Sequence, residues 1–100
     1  MKIWLDDIRP APDGYEIAHS VNEAINLILK AENDGVRIAV IDCDHDLGDY
    51  AMDGGDGIKL LDWLVERNTF YPIELHTANP VGRDNMARLI KRYWESRYDE

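Results

Sequence analysis

The stretch Val36-Arg-Ile-Ala-Val-Ile-Asp-Cys-Asp-His-Asp-Leu-Gly48 runs from a nearly continuous apolar segment straight into three aspartates and a histidine. Its apolar part reads as a strand from Val36 to about Asp44, of the kind that helices cover on both faces. Working outward, Lys2-Ile-Trp-Leu5 is a short apolar strand stopping at Asp6-Asp7, and Pro72-Ile-Glu-Leu-His-Thr77 is another that ends on His76 and Thr77. Tyr15 to His19 alternates weakly and gives a candidate second strand.

Helical signals fall between these runs. Ser20-Val-Asn-Glu23 matches a capping box, with Val21, Ala24, Ile25 and Ile28 on one face behind it and Asn33-Asp-Gly35 as the stop. Ile58, Leu61, Leu64 and Val65 recur at helical spacing up to Asn68. Asn79-Pro-Val-Gly82 reads as a turn, and a last helix from near Asp84 carries Met86, Leu89, Ile90, Tyr93 and Trp94 on its core side. Trp94 or Tyr98 is the candidate for a contact left to a partner. Strands alternating with helices predict a three-layer α/β sandwich with a mainly parallel four-stranded sheet. One join is short. About eight residues separate the first two strands, where a parallel crossover usually takes about 10–12 or more. That connection is therefore an extended loop, or the strand at Tyr15 is misplaced.

A chain of 100 residues with 45% apolar content suits one small domain over 1–100. No apolar run reaches the ~18 residues of a membrane span, and Asp6-Asp7 interrupts any signal-peptide core, so residence in the cytoplasm is expected. Cys43 stands alone, which excludes an internal disulfide and suggests a small buried hydrophobe. Eleven basic residues against twenty acidic ones argue against a broad nucleic-acid-binding surface. The surplus acid serves solubility, or a cation site, or imitates a phosphate backbone to occupy a DNA-binding partner.

Ligands of open parallel sheets collect at the carboxyl ends of the strands. Here that edge gathers Asp6, Asp7, Asp44 and Asp46 with His45, His76 and Thr77. Two like charges at ~4 Å repel by about 1 kcal/mol in water and about 4 kcal/mol near a protein surface. A divalent cation relieves that most directly, and all-oxygen ligation points to Mg²⁺ or Mn²⁺, with Ca²⁺ as the further option. Asp42 shares a strand face with Asp44 and is either part of the site or a buried carboxylate bonded to backbone. Asp49, Asp53 and Asp56 read as loop and cap residues. An EF-hand loop beginning at Asp42 fails, because Leu47 stands where the glycine must be and a strand precedes it. His45-Asp46 imitates the dipeptide of helical metal phosphohydrolases, in the wrong secondary structure.

With these residues assembled, the chain resembles a shortened phosphoacceptor receiver domain (a flavodoxin-like fold). The acidic pair after the first strand, the aspartate ending the third and a Thr-Ala ending the fourth match Asp6-Asp7, Asp44 and Thr77-Ala78. The helix between the first two strands is missing, the chain stops after the helix following Thr77, and the lysine of a fifth strand has no counterpart. A closer resemblance is to the cyclic-phosphate-processing receiver-like domains, through Trp4-Leu-Asp-Asp-Ile-Arg-Pro10, Asp42-Cys-Asp-His-Asp-Leu-Gly48 and His76-Thr-Ala-Asn-Pro-Val-Gly82. Cys43, Asp42 and the glycine- and aspartate-rich insertion after Gly48 depart from that pattern.

The resemblance implies metal-dependent hydrolytic opening of a cyclic phosphate on an RNA end or a nucleotide. Asp6, Asp7, Asp44 and Asp46 would hold the cation, and His45 and His76, with Asp44, would carry the chemistry. Thr77, Asn79, Arg9 and Arg83 would bind phosphate, aided by N–H groups of the Asn79–Gly82 segment. Two rivals stand beside it: a degenerate receiver that binds a phosphate ligand or protein without turnover, and an acidic decoy. A homodimer covering the exposed sheet edge is a further expectation.

Overall fold

Residues 1–95, which the computed structural model describes, form four strands and three helices. In chain order these are β1 (Lys2–Leu5), β2 (Tyr15–Ala18), α1 (Val21–Asn33), β3 (Val40–Cys43), α2 (Ile58–Arg67), β4 (Ile73–Leu75) and α3 (Pro80–Ile90). All strand pairs are parallel and the order is β2-β1-β3-β4, the expected α/β receiver-like arrangement. A 3-10 turn covers Gly48–Met52, and a π-helical turn, Lys91–Glu95, continues α3. Tyr98 lies outside the described residues.

The strand alternation sorts the core from the site. Ile3, Leu5, Ile41 and Cys43 are fully buried and join Val21, Ala24 and Ile28 of α1, Leu60, Leu61 and Leu64 of α2, and Met86 of α3 in one cluster. Burial of that many apolar side chains, at about 1.5–3 kcal/mol each, is the main stabilising term. The other face carries Trp4 and Asp42, which turn away from the helices. No helix joins β1 to β2. Residues 6–14 do so as an extended loop, held by Tyr15 N–H donating to the Pro12 carbonyl at 3.3 Å. The same loop covers Trp4, whose Nε1 donates to the Arg9 carbonyl at 3.1 Å. The strand at Tyr15 is therefore correctly placed, and the loop substitutes for the helix layer on that face.

Two element starts, those of β3 and of the last helix, differ from expectation. β3 begins at Val40 rather than Val36, and Val36 and Arg37 are exposed. Nor do helices cover both its faces, because Asp42 faces polar partners. α3 begins at Pro80, not near Asp84: Asn79 is its N-cap, accepting from Gly82 N–H at 3.1 Å, and proline at the first position is pre-set for a helix. Trp94 is buried, edge-on to Phe70, with Nε1 donating to the Tyr71 carbonyl at 2.8 Å, so it belongs to the core.

Local stop and start signals act as read. Ser20 Oγ accepts Glu23 N–H at 3.1 Å, and Asn68 ends α2 in the left-handed conformation. Ser20 Oγ also donates to Asp53 Oδ2 at 2.7 Å, and Asn22 Nδ2 donates to Asp53 Oδ1 at 2.9 Å, tying the loop after β3 to α1.

Candidate functional site

The carboxyl ends of β1, β3 and β4 open onto a cleft of about 340 Å³ lined by Asp6, Asp7, Arg9, Asp44, Asp46 and Thr77, with Ile8, Gly48, Ala78 and Asn79 completing it. Parallel pairing of β1 with β3, Leu5 opposite Cys43, brings Asp6-Asp7 beside Asp44. The Asp44 N–H donates to the Leu5 carbonyl at 2.9 Å and fixes that juxtaposition. Two glycines permit the close approach. A Cβ on Gly57 would meet the Asp44 carbonyl oxygen at 1.9 Å, and one on Gly82 would meet His45 Cγ at 2.4 Å. The glycine of the Asn79–Gly82 segment thus seats the His45 ring against α3.

Asp6 is only 1% exposed and fully engaged. Its Oδ1 accepts from the N–H groups of Ile8 and Arg9, both at 2.8 Å, and its Oδ2 lies 2.9 Å from His76 Nε2. Burial opposes its ionisation, but the two N–H groups and His76 outweigh burial and hold the carboxyl below its ordinary value. His76 Nδ1 lies 2.6 Å from Asp42 Oδ1, and its ring is stacked on Trp4 with centroids 3.8 Å apart. Each ring nitrogen of His76 thus faces a carboxylate oxygen, Asp6 on one side and Asp42 on the other. Asp42 therefore bonds to a side chain across the sheet rather than to backbone.

Asp7 differs. Burial, then the nearby charges of Asp6 and Asp44, push its carboxyl above the ordinary range. Asp44 Oδ1 accepts its neighbour's N–H, from His45, at 2.8 Å. Asp46, mostly exposed, lies with Oδ1 2.7 Å from His45 Nδ1 and accepts from Asn79 Nδ2 at 3.1 Å; His45 and then Asn79 hold it below its ordinary value. One ligand atom from each of Asp6, Asp44 and His76 falls within 4.8 Å of the others, and the same holds for His45, Asp46 and Asp56. Asp7 lines the same cleft as Arg9 but belongs to neither group, and in the first group oxygen donors dominate. This set fits a hard divalent cation.

The expected phosphate ligands divide. Thr77 and Arg9 line the cleft. The Thr77 Oγ1 accepts Asn79 N–H at 3.1 Å, which leaves its own hydrogen to donate, while Arg9 Nη1 donates to the His76 carbonyl at 3.0 Å. Asn79 also lines it, but its amide is spent on Asp46 and on the Gly82 N–H, so it positions its neighbours. Arg83 sits in the first turn of α3 and does not line the cleft. Asn79 takes both the Gly82 and Arg83 N–H groups, through Oδ1 and its carbonyl, and Pro80 has none. The helix start therefore offers an anion the Val81 N–H at most. Neither histidine lines the cleft: His76 lies behind Asp6, and His45 reaches it through Asp46. Asp42 and Trp4 could not be assigned from sequence, although Trp4 immediately precedes the Leu5-Asp-Asp7 motif.

Among the described residues no helix is long and apolar enough to cross a membrane. No curated protein and no solved structure matches the chain. The profile of the cyclic-phosphate processing receiver domain, however, matches residues 1–92, which takes in every strand, every helix and the whole strand-end cleft. With a parallel sheet in receiver order and the acidic residues gathered where a receiver has its site, the chain belongs to the family of cyclic-phosphate processing receiver domains.

Proposed function

We propose that the chain opens a cyclic phosphate by metal-dependent hydrolysis. The observation that carries this is a single cleft lined both by the carboxylates of Asp7 and Asp44 and by Arg9 and Thr77, which can donate to phosphate oxygens. A cyclic phosphodiester brings one negative charge and cannot approach such carboxylates without a cation. Asp7 and Asp44, backed by Asp6, would hold Mg²⁺ or Mn²⁺, which when bound neutralises phosphate charge and lowers the pKa of water.

The chain's own groups do the rest. Arg9 and the Thr77 hydroxyl hold non-bridging phosphate oxygens. Water forms the new P–O bond as one ribose P–O bond breaks, and the leaving alkoxide takes up a proton while the attacking water loses one. Asp46, which lines the cleft, and His45, bonded to it through Nδ1, would together pass that proton. His76 has both ring nitrogens committed to carboxylates, so its part is to hold Asp6 in place, as a positioning residue.

Hydrolysis of a nucleoside 2′,3′-cyclic phosphate with Mg²⁺, Mn²⁺ or chelator tests this. Expected is metal-dependent turnover, lost in Asp44→Asn and His45→Ala. Absence of turnover with either metal overturns it. A second reading, capture of the same ligand without turnover, draws on the occupied nitrogens of His76 and the packing of His45 against Gly82. Calorimetric binding of the cyclic phosphate without product would establish that reading.

A further inference from the structure

We infer that the substrate is a single nucleoside carrying one cyclic phosphate, and not the end of an RNA chain; this rests on the hydrolytic reading above. The segments that follow the strand ends on the cleft side, residues 6–10, 44–57 and 76–84, carry eight aspartates against Arg9 and Arg83, and Asp6, Asp7, Asp44 and Asp46 line the cleft itself. Among the described residues, four other basic side chains lie away from it or are paired. Lys2 begins β1 at the opposite edge, Lys30 lies in the last turn of α1, Arg67 is bound to Glu32, and Lys59 is 3.8 Å from Asp62. One divalent cation and two arginines leave this edge strongly negative.

A single cyclic phosphate can sit on the cation, beside Arg9 and Thr77. Each further phosphate of a chain has to cross acidic surface. Phosphates of a stacked strand recur every ~3.4 Å along the axis. The Debye length at physiological salt is about 8 Å, so the two nearest the end lie inside the field of the edge. Surfaces that track single strands are built the opposite way, as basic grooves interleaved with aromatic rings.

What the edge does offer is apolar. Ile8 lines the cleft at 84% exposure, and Val81, 69% exposed, lies in the first turn of α3 two residues after the lining Asn79. Aliphatic side chains this exposed beside a polar cleft suit the flat face of a nucleobase, which apolar and aromatic side chains commonly grip in nucleotide pockets.

The test compares kcat/KM of the full chain, with Mn²⁺, for adenosine 2′,3′-cyclic phosphate and for an oligoadenylate ending in the same cyclic phosphate, at low and at physiological salt. At low salt the mononucleotide is expected to win by about tenfold or more, the margin narrowing as salt screens the edge. Equal rates, or a preference for the oligomer, overturn the inference and leave the hydrolytic reading intact. Turnover of neither overturns that reading and the inference with it. In the second arm, Ile8→Ser combined with Val81→Ser is expected to raise KM for the adenosine substrate several-fold at unchanged kcat, with ribose 2,3-cyclic phosphate unaffected. An unchanged KM overturns the base contact.

Discussion

At the end of the sheet where the strands begin, Glu32 faces Arg67 and Tyr71; where they finish, Asp6 and Asp42 share His76 beside Asp7 and Asp44. The first network is balanced. Arg67 Nη2 and Nη1 donate to the two oxygens of Glu32 at 2.7 and 3.2 Å, and the Tyr71 hydroxyl donates to the second of them. Arg67 above all, then Tyr71, holds Glu32 below its ordinary value, while burial and the Glu32 contact push the Tyr71 hydroxyl up to about 12. The second network has more carboxylates than cations, and there burial, then the charges of Asp6 and Asp44, raise the Asp7 carboxyl above its ordinary value. Satisfied charge closes a network, as it does where α1 and α2 are locked together. Unsatisfied charge at a cleft leaves something for a ligand to complete.

The contrast breaks most visibly at His76. His76→Ala would leave Asp6 and Asp42 facing a void on the sheet surface, with Asp6 buried and its Oδ2 unpartnered. A loss of about 2–4 kcal/mol is expected in urea denaturation, less than for a fully dry pair because His76 keeps some exposure. Adding Asp42→Asn should recover part of it. A loss below about 0.5 kcal/mol, the scatter of ordinary surface changes, would mean that the triad is no more than a surface contact.

Gly82→Ala comes next. The added Cβ would lie 2.4 Å from His45 Cγ, so either ring or helix has to move, at about 1–3 kcal/mol. In a double-mutant cycle His45→Ala should relieve most of that cost. Independent effects would show that His45 is not seated on α3.

How far these networks could be read from sequence depends on the range of the contacts. Start and stop signals act within a turn of the chain, which is why Ser20 and Asn68 were legible. The acidic pair Asp6-Asp7 and Asp44 were legible as strand ends because a parallel sheet puts all such ends on one edge. The Asp42–His76 contact spans 34 residues and depends on which strand face lacks a helix, which Asp42 itself cannot tell. Asn79-Pro80 was misread because the same dipeptide starts turns and helices alike, and only the Gly82 N–H bond to Asn79 decides it. Val36 to Ala39 is apolar enough for a strand, yet β3 begins only at Val40, where its pairing with Lys2 of β1 starts.

At the balanced end, Glu32→Gln should cost about 1–2 kcal/mol, since a bidentate, largely covered pair exceeds the ~0–1 kcal/mol of an exposed one. The pH dependence has a definite sign. The folded pKa of Glu32 is depressed, so its contribution is complete above the ordinary value of 4.5 and is lost as pH falls through the folded value. Wild type and Glu32→Gln should therefore converge in stability on acidification. Curves that stay parallel would show that the glutamate is not ionically bound.

Asp7→Asn is the smallest expected change and has the opposite sign. The folded pKa of Asp7 is raised, first by burial and then by Asp6 and Asp44. The ionised carboxyl therefore opposes folding above that raised value, and the penalty vanishes below the ordinary value of 3.8. In chelator near neutral pH, the asparagine variant should be more stable by about 0.5–1 kcal/mol, because it removes one like charge from a half-buried group. With Mg²⁺ the order should reverse, since wild type gains linkage free energy from the cation and the variant has lost a ligand. Thermal melts of both proteins, with and without Mg²⁺, make the two-by-two comparison. A wild type that is the more stable even in chelator would mean that Asp7 is satisfied within the protein, and the cleft would then need no cation on its account. Reversal by Mg²⁺ would establish that the strain at this edge and the site for the ion are the same group of atoms.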